Sequence, residues 1–123
     1  MLSSDSVLIK FCGLRTKLDI VVCQDADYLG FIVEVPGAKR SLSLEKAVKL
    51  INYGRKFALT VAVITTLEKI PEICESVRPD IIQIHTTINC NLNTLQEKLV
   101  SYKQKYALTI GLESKSIVNY PVL

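Results

Sequence analysis

Short apolar runs rich in β-branched residues recur along this chain and leave few folds open to it. They are VLIKF at residues 7–11, YLGFIVEV at 28–35, ALTVAVIT at 58–65, DIIQIH at 80–85 and ALTIGL at 107–112. Near-continuous runs of this length predict strands covered on both faces rather than half-exposed alternating ones. Between them lie segments with apolar residues at helical spacing. That alternation predicts right-handed βαβ units and a parallel sheet, an α/β fold.

The connecting segments carry their own start and stop signals. Thr16 with Asp19 makes a capping box, and Leu18, Val21 and Val22 place an apolar stripe on a first helix running to about Asp25. Gly30, inside the second strand, predicts close approach by another backbone. Residues 36–40 form a turn-rich loop, after which Ser43 and Glu45 open a helix with Leu44, Ala47, Val48 and Ile51 on one face, closed at Gly54 and Arg55. A third helix, from Thr66 through Ile70, Ile73 and Val77, stops before Pro79; Pro71 requires either a late start, with the proline in the first turn, or a kink. Asn93 and Gln96 cap a fourth, in which Leu95, Leu99, Val100 and Tyr106 recur at helical spacing. Residues 113–123 have no clear period, and no low-complexity linker interrupts the chain, so residues 1–123 are expected to form a single domain.

Neither G-x-G-x-x-G after the first strand nor a P-loop motif occurs, which argues against a nucleotide-binding sheet. A barrel of eight βα units usually needs about 200 residues or more, and this chain has about four and a half units. The net charge of +3 is spread over 15 basic and 12 acidic residues without a basic block, so no nucleic-acid partner is expected. No apolar stretch is long enough to span a bilayer, and MLSSDS lacks the positive region of a leader, so neither membrane nor export is expected. Cys12, Cys23, Cys74 and Cys90 have no zinc-ligand spacing and read as free thiols of a reducing compartment, with no metal.

In parallel α/β folds ligands bind at the carboxyl ends of the strands, here marked by Cys12, Glu34, Thr65, His85 and Glu113. Cys12 is either core or a thiol whose acidity is raised beside Lys10 or a helix N-terminus. His85, the only histidine, is either a hydrogen-bonded structural residue or a catalyst. Lys39 and Arg40 are either solvated loop cations or an anion site. Lys10, in an apolar strand, would be a buried ammonium that needs a partner. Cys23, Cys74 and Cys90 read as packing or surface thiols.

Four ordered motifs sharpen this. I-K-F-C-G-L at residues 9–14 resembles the K-[IF]-C-G-[IL] motif of the phosphoribosylanthranilate isomerase family. D-A-D-Y-L-G-F at 25–31 resembles its G-A-D-x-[LIV]-G-F strand, K-R-S-L-S at 39–43 its S-x-R-x-[IV]-[ST] loop, and D-I-I-Q-I-H at 80–85 its D-x-V-Q-L-H strand. The resemblance runs from about Leu8 to His85 and more loosely to Glu113. It implies a TIM barrel, (β/α)8, of which this chain would be the N-terminal part. It also implies a cytoplasmic isomerase of tryptophan biosynthesis, of the intramolecular oxidoreductase (aldose–ketose) type. Such an enzyme converts N-(5-phosphoribosyl)anthranilate, a phosphosugar, into 1-(2-carboxyphenylamino)-1-deoxyribulose 5-phosphate by an Amadori rearrangement, without cofactor or metal.

By the same resemblance Cys12 is the general base, Arg40 pairs with the anthranilate carboxylate, and Lys10, Gln83 and His85 line the mouth of the site. The family's general acid, an aspartate ending strand six, and its glycine-rich phosphate loops after strands seven and eight have no counterpart here. IHTTIN also replaces the usual histidine-glycine after strand four. The isolated chain is therefore expected to be inactive. The alternative is a noncatalytic half-barrel that self-associates or complements a second chain.

Overall fold

The computed structural model describes residues 7–86 and 92–110. Among them β1 (Lys10–Phe11), β2 (Tyr28–Val33), β3 (Ser41–Leu42), β4 (Leu59–Ile64), β5 (Ile81–Thr86) and β6 (Lys105–Ile110) form one sheet. Its order is β1-β2-β4-β5-β6, with β3 on β2, and every pairing is parallel. The alternation read from the sequence is thus the topology of the molecule.

One face of the sheet is closed by helices. Leu29, Phe31 and Val33 of β2, Ala62 and Ile64 of β4, and Ile82 and Ile84 of β5 alternate onto it and share a core with the helices. Burying one such side chain contributes about 2 kcal/mol. Helix α2 (Leu44–Gly54) puts Ala47, Leu50, Ile51 and Gly54 against this layer. Gly54 packs closely, since a Cβ there would lie 3.3 Å from Phe31 Cζ. Ser43 caps α2 through Lys46 N–H, as the sequence predicts.

Helix α3 (Ile70–Glu72) starts late, with Pro71 in its first turn, and continues as a π-helical turn over Ile73–Val77. Arg78 then enters the left-handed region at φ 54°, its N–H closing on Ile73 O at 2.9 Å. Of the two arrangements open to Pro71, the late start is the one found.

Four expectations are corrected. The first run forms only the two-residue β1, and Val7, Leu8, Ile9 and Phe11 are exposed, Val7 by 81%. The cause is position: β1 is a sheet edge paired with β2 alone. Helix α1 (Lys17–Val22) has the predicted capping box but ends at Val22, and it buries Ile20 while Leu18 and Val22 stand 71% and 75% exposed. Its packed face is Ile20 with Cys23, a stripe turned away from the predicted one. On α4 (Leu92–Ser101) Leu95 and Leu99 are buried but Val100 is not, and Tyr106 belongs to β6. Finally, residues 41–42, read as loop, pair in parallel with Ile32 and Val33 as β3.

The other face of the sheet, on which Val61 and Val63 of β4 are also buried, is concave. Lys10 Nζ on β1 donates to Gln83 Oε1 on β5, although β2 and β4 lie between their strands. A flat sheet would hold those strands roughly 14 Å apart, so the rows must curl toward this face for the side chains to meet.

Candidate active site

At the carboxyl end of β1 the chain turns through Cys12 and Gly13 into the cap of α1. Gly13 adopts φ 82°, a left-handed conformation that favours glycine. A side chain there would also strike Arg40, whose Cδ would lie 2.9 Å from the added Cβ. With that space clear, Arg40 Nη1 donates to Gly13 O at 3.4 Å. Leu14 N–H donates to Gly30 O at 3.1 Å and ties the turn to β2. The Cys12 thiol is exposed and Arg40 stands beside its turn.

Lys10 and Gln83 meet on the concave face beneath this rim. Lys10 is exposed rather than buried as the sequence reading supposed, yet it has the polar partner that reading required. His85, two residues beyond Gln83 on the same strand, shares its face and is exposed. The structure thus pairs Lys10 with Gln83 across the sheet, sets His85 on the same face of β5 as Gln83, and places Arg40 beside the Cys12–Gly13 turn at the carboxyl end of β1.

The other strand-end groups do not join them in the same way. Glu34, at φ 51°, turns its carboxylate to α2 and accepts from Leu44 N–H at 3.1 Å. Thr65 is half-buried, Lys39 is exposed in its loop, and Glu113 and Cys90 lie outside the described residues. Asp19, which the sequence assigned only to the cap, accepts from Arg15 N–H at 2.9 Å and from Thr16 N–H at 3.2 Å. The Arg15 hydrogen bond leads in holding its carboxyl below the usual carboxylate range, although partial loss of water opposes it. Both carboxylates serve helix N-termini.

Cys23 and Cys74 are half-buried free thiols packed against the core. Burial pushes the Cys74 thiol up, and the neighbouring Glu75 carboxylate adds to the effect. Sequence reading missed that Gly13 leaves room for Arg40; the only signal was the glycine directly after the cysteine. Among the described residues no group of three or more His, Cys, Asp or Glu side chains could hold a metal, and no helix is long and apolar enough to cross a membrane.

A parallel, curling βα sheet with its polar groups gathered at the strand carboxyl ends defines part of a TIM-barrel protein. Monomers generated from the dimeric phosphoribosylanthranilate isomerase of Thermotoga maritima superpose with a TM-score of 0.72 at 25% identity, over 89% of this chain and 56% of that one. A phosphoribosyl anthranilate isomerase solved in complex with reduced 1-(o-carboxyphenylamino)-1-deoxyribulose 5-phosphate shares the fold, at a TM-score of 0.72 and 24% identity over 89% of this chain and 56% of that one. The family model of N-(5'-phosphoribosyl)anthranilate (PRA) isomerase matches residues 9–120. The N-(5'-phosphoribosyl)anthranilate isomerase of Parvibaculum lavamentivorans is 35% identical over 111 residues, 85% of this chain and 47% of the relative. The chain belongs to the N-(5'-phosphoribosyl)anthranilate isomerase family and spans about half the length of the curated relatives it matches.

Proposed function

We propose that this chain supplies the amino-terminal half of the active site of a phosphoribosylanthranilate isomerase of tryptophan biosynthesis. The observation that carries the reading is the Cys12–Gly13 turn, with an exposed thiol, Arg40 donating to its carbonyl, and the Lys10–Gln83 pair below it. The substrate is N-(5-phosphoribosyl)anthranilate, ring-opened to its Schiff base. Cys12, as thiolate, removes the proton from C2′. The Schiff base keeps the glycosylamine N–H and so opens as an iminium; the electron pair of the C–H bond forms C1′=C2′ while the C=N pair moves to that protonated nitrogen, giving a neutral enolamine. Transfer of the C2′ hydroxyl proton, with protonation at C1′, leaves the ketone. Hydrogen moves from C2′ to C1′, so no oxidant or reductant enters.

Arg40 suits the anthranilate carboxylate because a planar guanidinium can donate two parallel hydrogen bonds to it. Lys10, Gln83 and His85 line the same mouth. Asp19 and Glu34 already accept from helix N-termini, which supports a general acid drawn from the half of the family barrel that this chain does not match. The free thiols Cys12, Cys23 and Cys74 support work in a reducing cytoplasm.

The test is Cys12→Ser in a complete barrel made by joining this chain to the remaining half of the Parvibaculum relative. Serine is far too weakly acidic to replace the thiolate, so turnover should fall by about two or more orders of magnitude. Isomerisation at the parental rate would overturn the assignment.

A second reading, a noncatalytic half-barrel that pairs with itself or a complementary chain, is favoured by exposed Val7, Leu8, Ile9 and Phe11 at the β1 edge and Leu18 and Val22 on α1. Light scattering over a range of concentrations tests it. A stable monomer with no turnover would count against self-association.

A further inference from the structure

We propose that Gly30 is a positioning residue for Cys12, its missing side chain forming the seat in which the thiol is held at the end of β1. The proposal rests on the reading of Cys12 as the base. Strands β1 and β2 pair Lys10 with Tyr28 and Phe11 with Leu29, so one step further Cys12 falls beside Gly30. A Cβ on Gly30 would lie 3.1 Å from Cys12 Sγ, 3.2 Å from Cys12 Cα and 3.2 Å from Phe11 O. Two of these three neighbours are backbone atoms, so a rotamer change of Cys12 would not relieve the crowding; the end of β1 itself would have to move.

Gly30 also holds the far side of the turn, because its carbonyl accepts from Leu14 N–H at 3.1 Å. Cys12 is thereby fixed between a close approach on one side and a hydrogen bond two residues on. Nothing in the conformation of Gly30 itself demands glycine, since Gly13 and Gly37 are the described glycines at positive φ. A strand interior ordinarily disfavours glycine, which leaves close approach to Cys12 as the local reason for it. A base displaced by even a fraction of an ångström from its proton loses much of its effect.

Gly30→Ala is the test, with Gly54→Ala as control, because the added Cβ of the control would meet Phe31 Cζ and Leu29 Cδ1 in the core and not Cys12. Alkylation of each cysteine by iodoacetamide is followed against pH by peptide mass spectrometry on the intact chain. Gly30→Ala should change the Cys12 rate by about threefold or more, with Cys23 and Cys74 unmoved. Gly54→Ala should leave Cys12 as it was. A Cys12 profile in Gly30→Ala that superimposes on the parent overturns the proposal.

In the complete barrel Gly30→Ala should lower kcat by about tenfold or more while KM stays within about twofold. Parental kcat in Gly30→Ala, beside loss of turnover in Cys12→Ser, overturns the positioning role and leaves the base standing. Turnover that survives Cys12→Ser overturns the base, and with it this use of Gly30, whatever the alkylation shift. An NMR contact between a Gly30 α-proton and Cys12 is expected in the unsubstituted chain, and its absence overturns the proposal even where Gly30→Ala fails to fold.

Discussion

The two ends of the sheet use their polar residues differently. At the amino end, carboxylates tie strand to strand: Asp80 Oδ2 accepts from Thr60 N–H at 2.7 Å and from the Thr60 hydroxyl at 2.9 Å, and Asp80 N–H returns a bond to that hydroxyl at 3.1 Å. Asp27 Oδ2 accepts from Ile9 N–H at 2.8 Å in the same manner. At the carboxyl end the carboxylates Asp19 and Glu34 serve helix N-termini, while Cys12 and Arg40 are exposed. Asp27 and Gly30 belong to one family-like motif, and Asp80, Gln83 and His85 to another. Each motif thus joins a carboxylate that ties strands at the amino end, Asp27 or Asp80, to residues further along the strand that the proposed function uses.

The sharpest way to break this contrast is to exchange the expected effects. Cys12→Ser should depress the chemical step of the complete barrel by about 100-fold or more and leave the melting temperature nearly unchanged, because the thiol is exposed. A large loss of stability in calorimetry would move Cys12 to the structural side. Asp80→Ala should do the opposite. It strips the acceptor from two Thr60 donors, and Thr60 is fully buried, so denaturant titration should register a loss of about 2–3 kcal/mol with Cys12 alkylation unaffected.

Arg40 comes next. Arg40→Ala should raise KM by about tenfold in the complete barrel, and Arg40→Lys should recover only part, since an ammonium lacks the planar fork. Unchanged KM in both would leave Arg40 as a clamp on Gly13 alone.

The smallest effect concerns Asp19, the carboxyl-end acid most fully tied down. Its folded-state pKa lies below the unfolded one, chiefly through the Arg15 N–H, so its stabilisation is complete above the unfolded value. That contribution fades as pH falls through the folded value. Asp19→Asn should therefore flatten the stability profile below about pH 4 and change nothing specific at neutrality. Parallel acid profiles for parent and variant would contradict the cap's electrostatic role.

What the sequence by itself determined is the order and kind of the elements. β-branched apolar runs separate strands from helices, and Thr16, Ser43 and Pro71 mark helix starts by bonds or ring geometry within a few residues. Such signals are local, so no distant partner is needed to read them. The motif residues Cys12, Arg40, Lys10, Gln83 and His85 were legible as candidates for the same reason: each sits in a short string near a strand end or turn. What only the tertiary structure decided is which neighbour meets each of them. Periodicity states that a helix has an apolar face, but Ile20 rather than Leu18 is buried on α1 because of where α2 and the sheet lie. Val7 and Phe11 read as covered, yet at a sheet edge apolar side chains remain in contact with water. Lys10 reaches Gln83 only because the sheet curls, and Gly30 seats Cys12 only because parallel pairing puts β1 beside β2. Curvature and pairing arise from packing the whole helix layer on one face, a sum of many weak contacts that no short window of sequence contains.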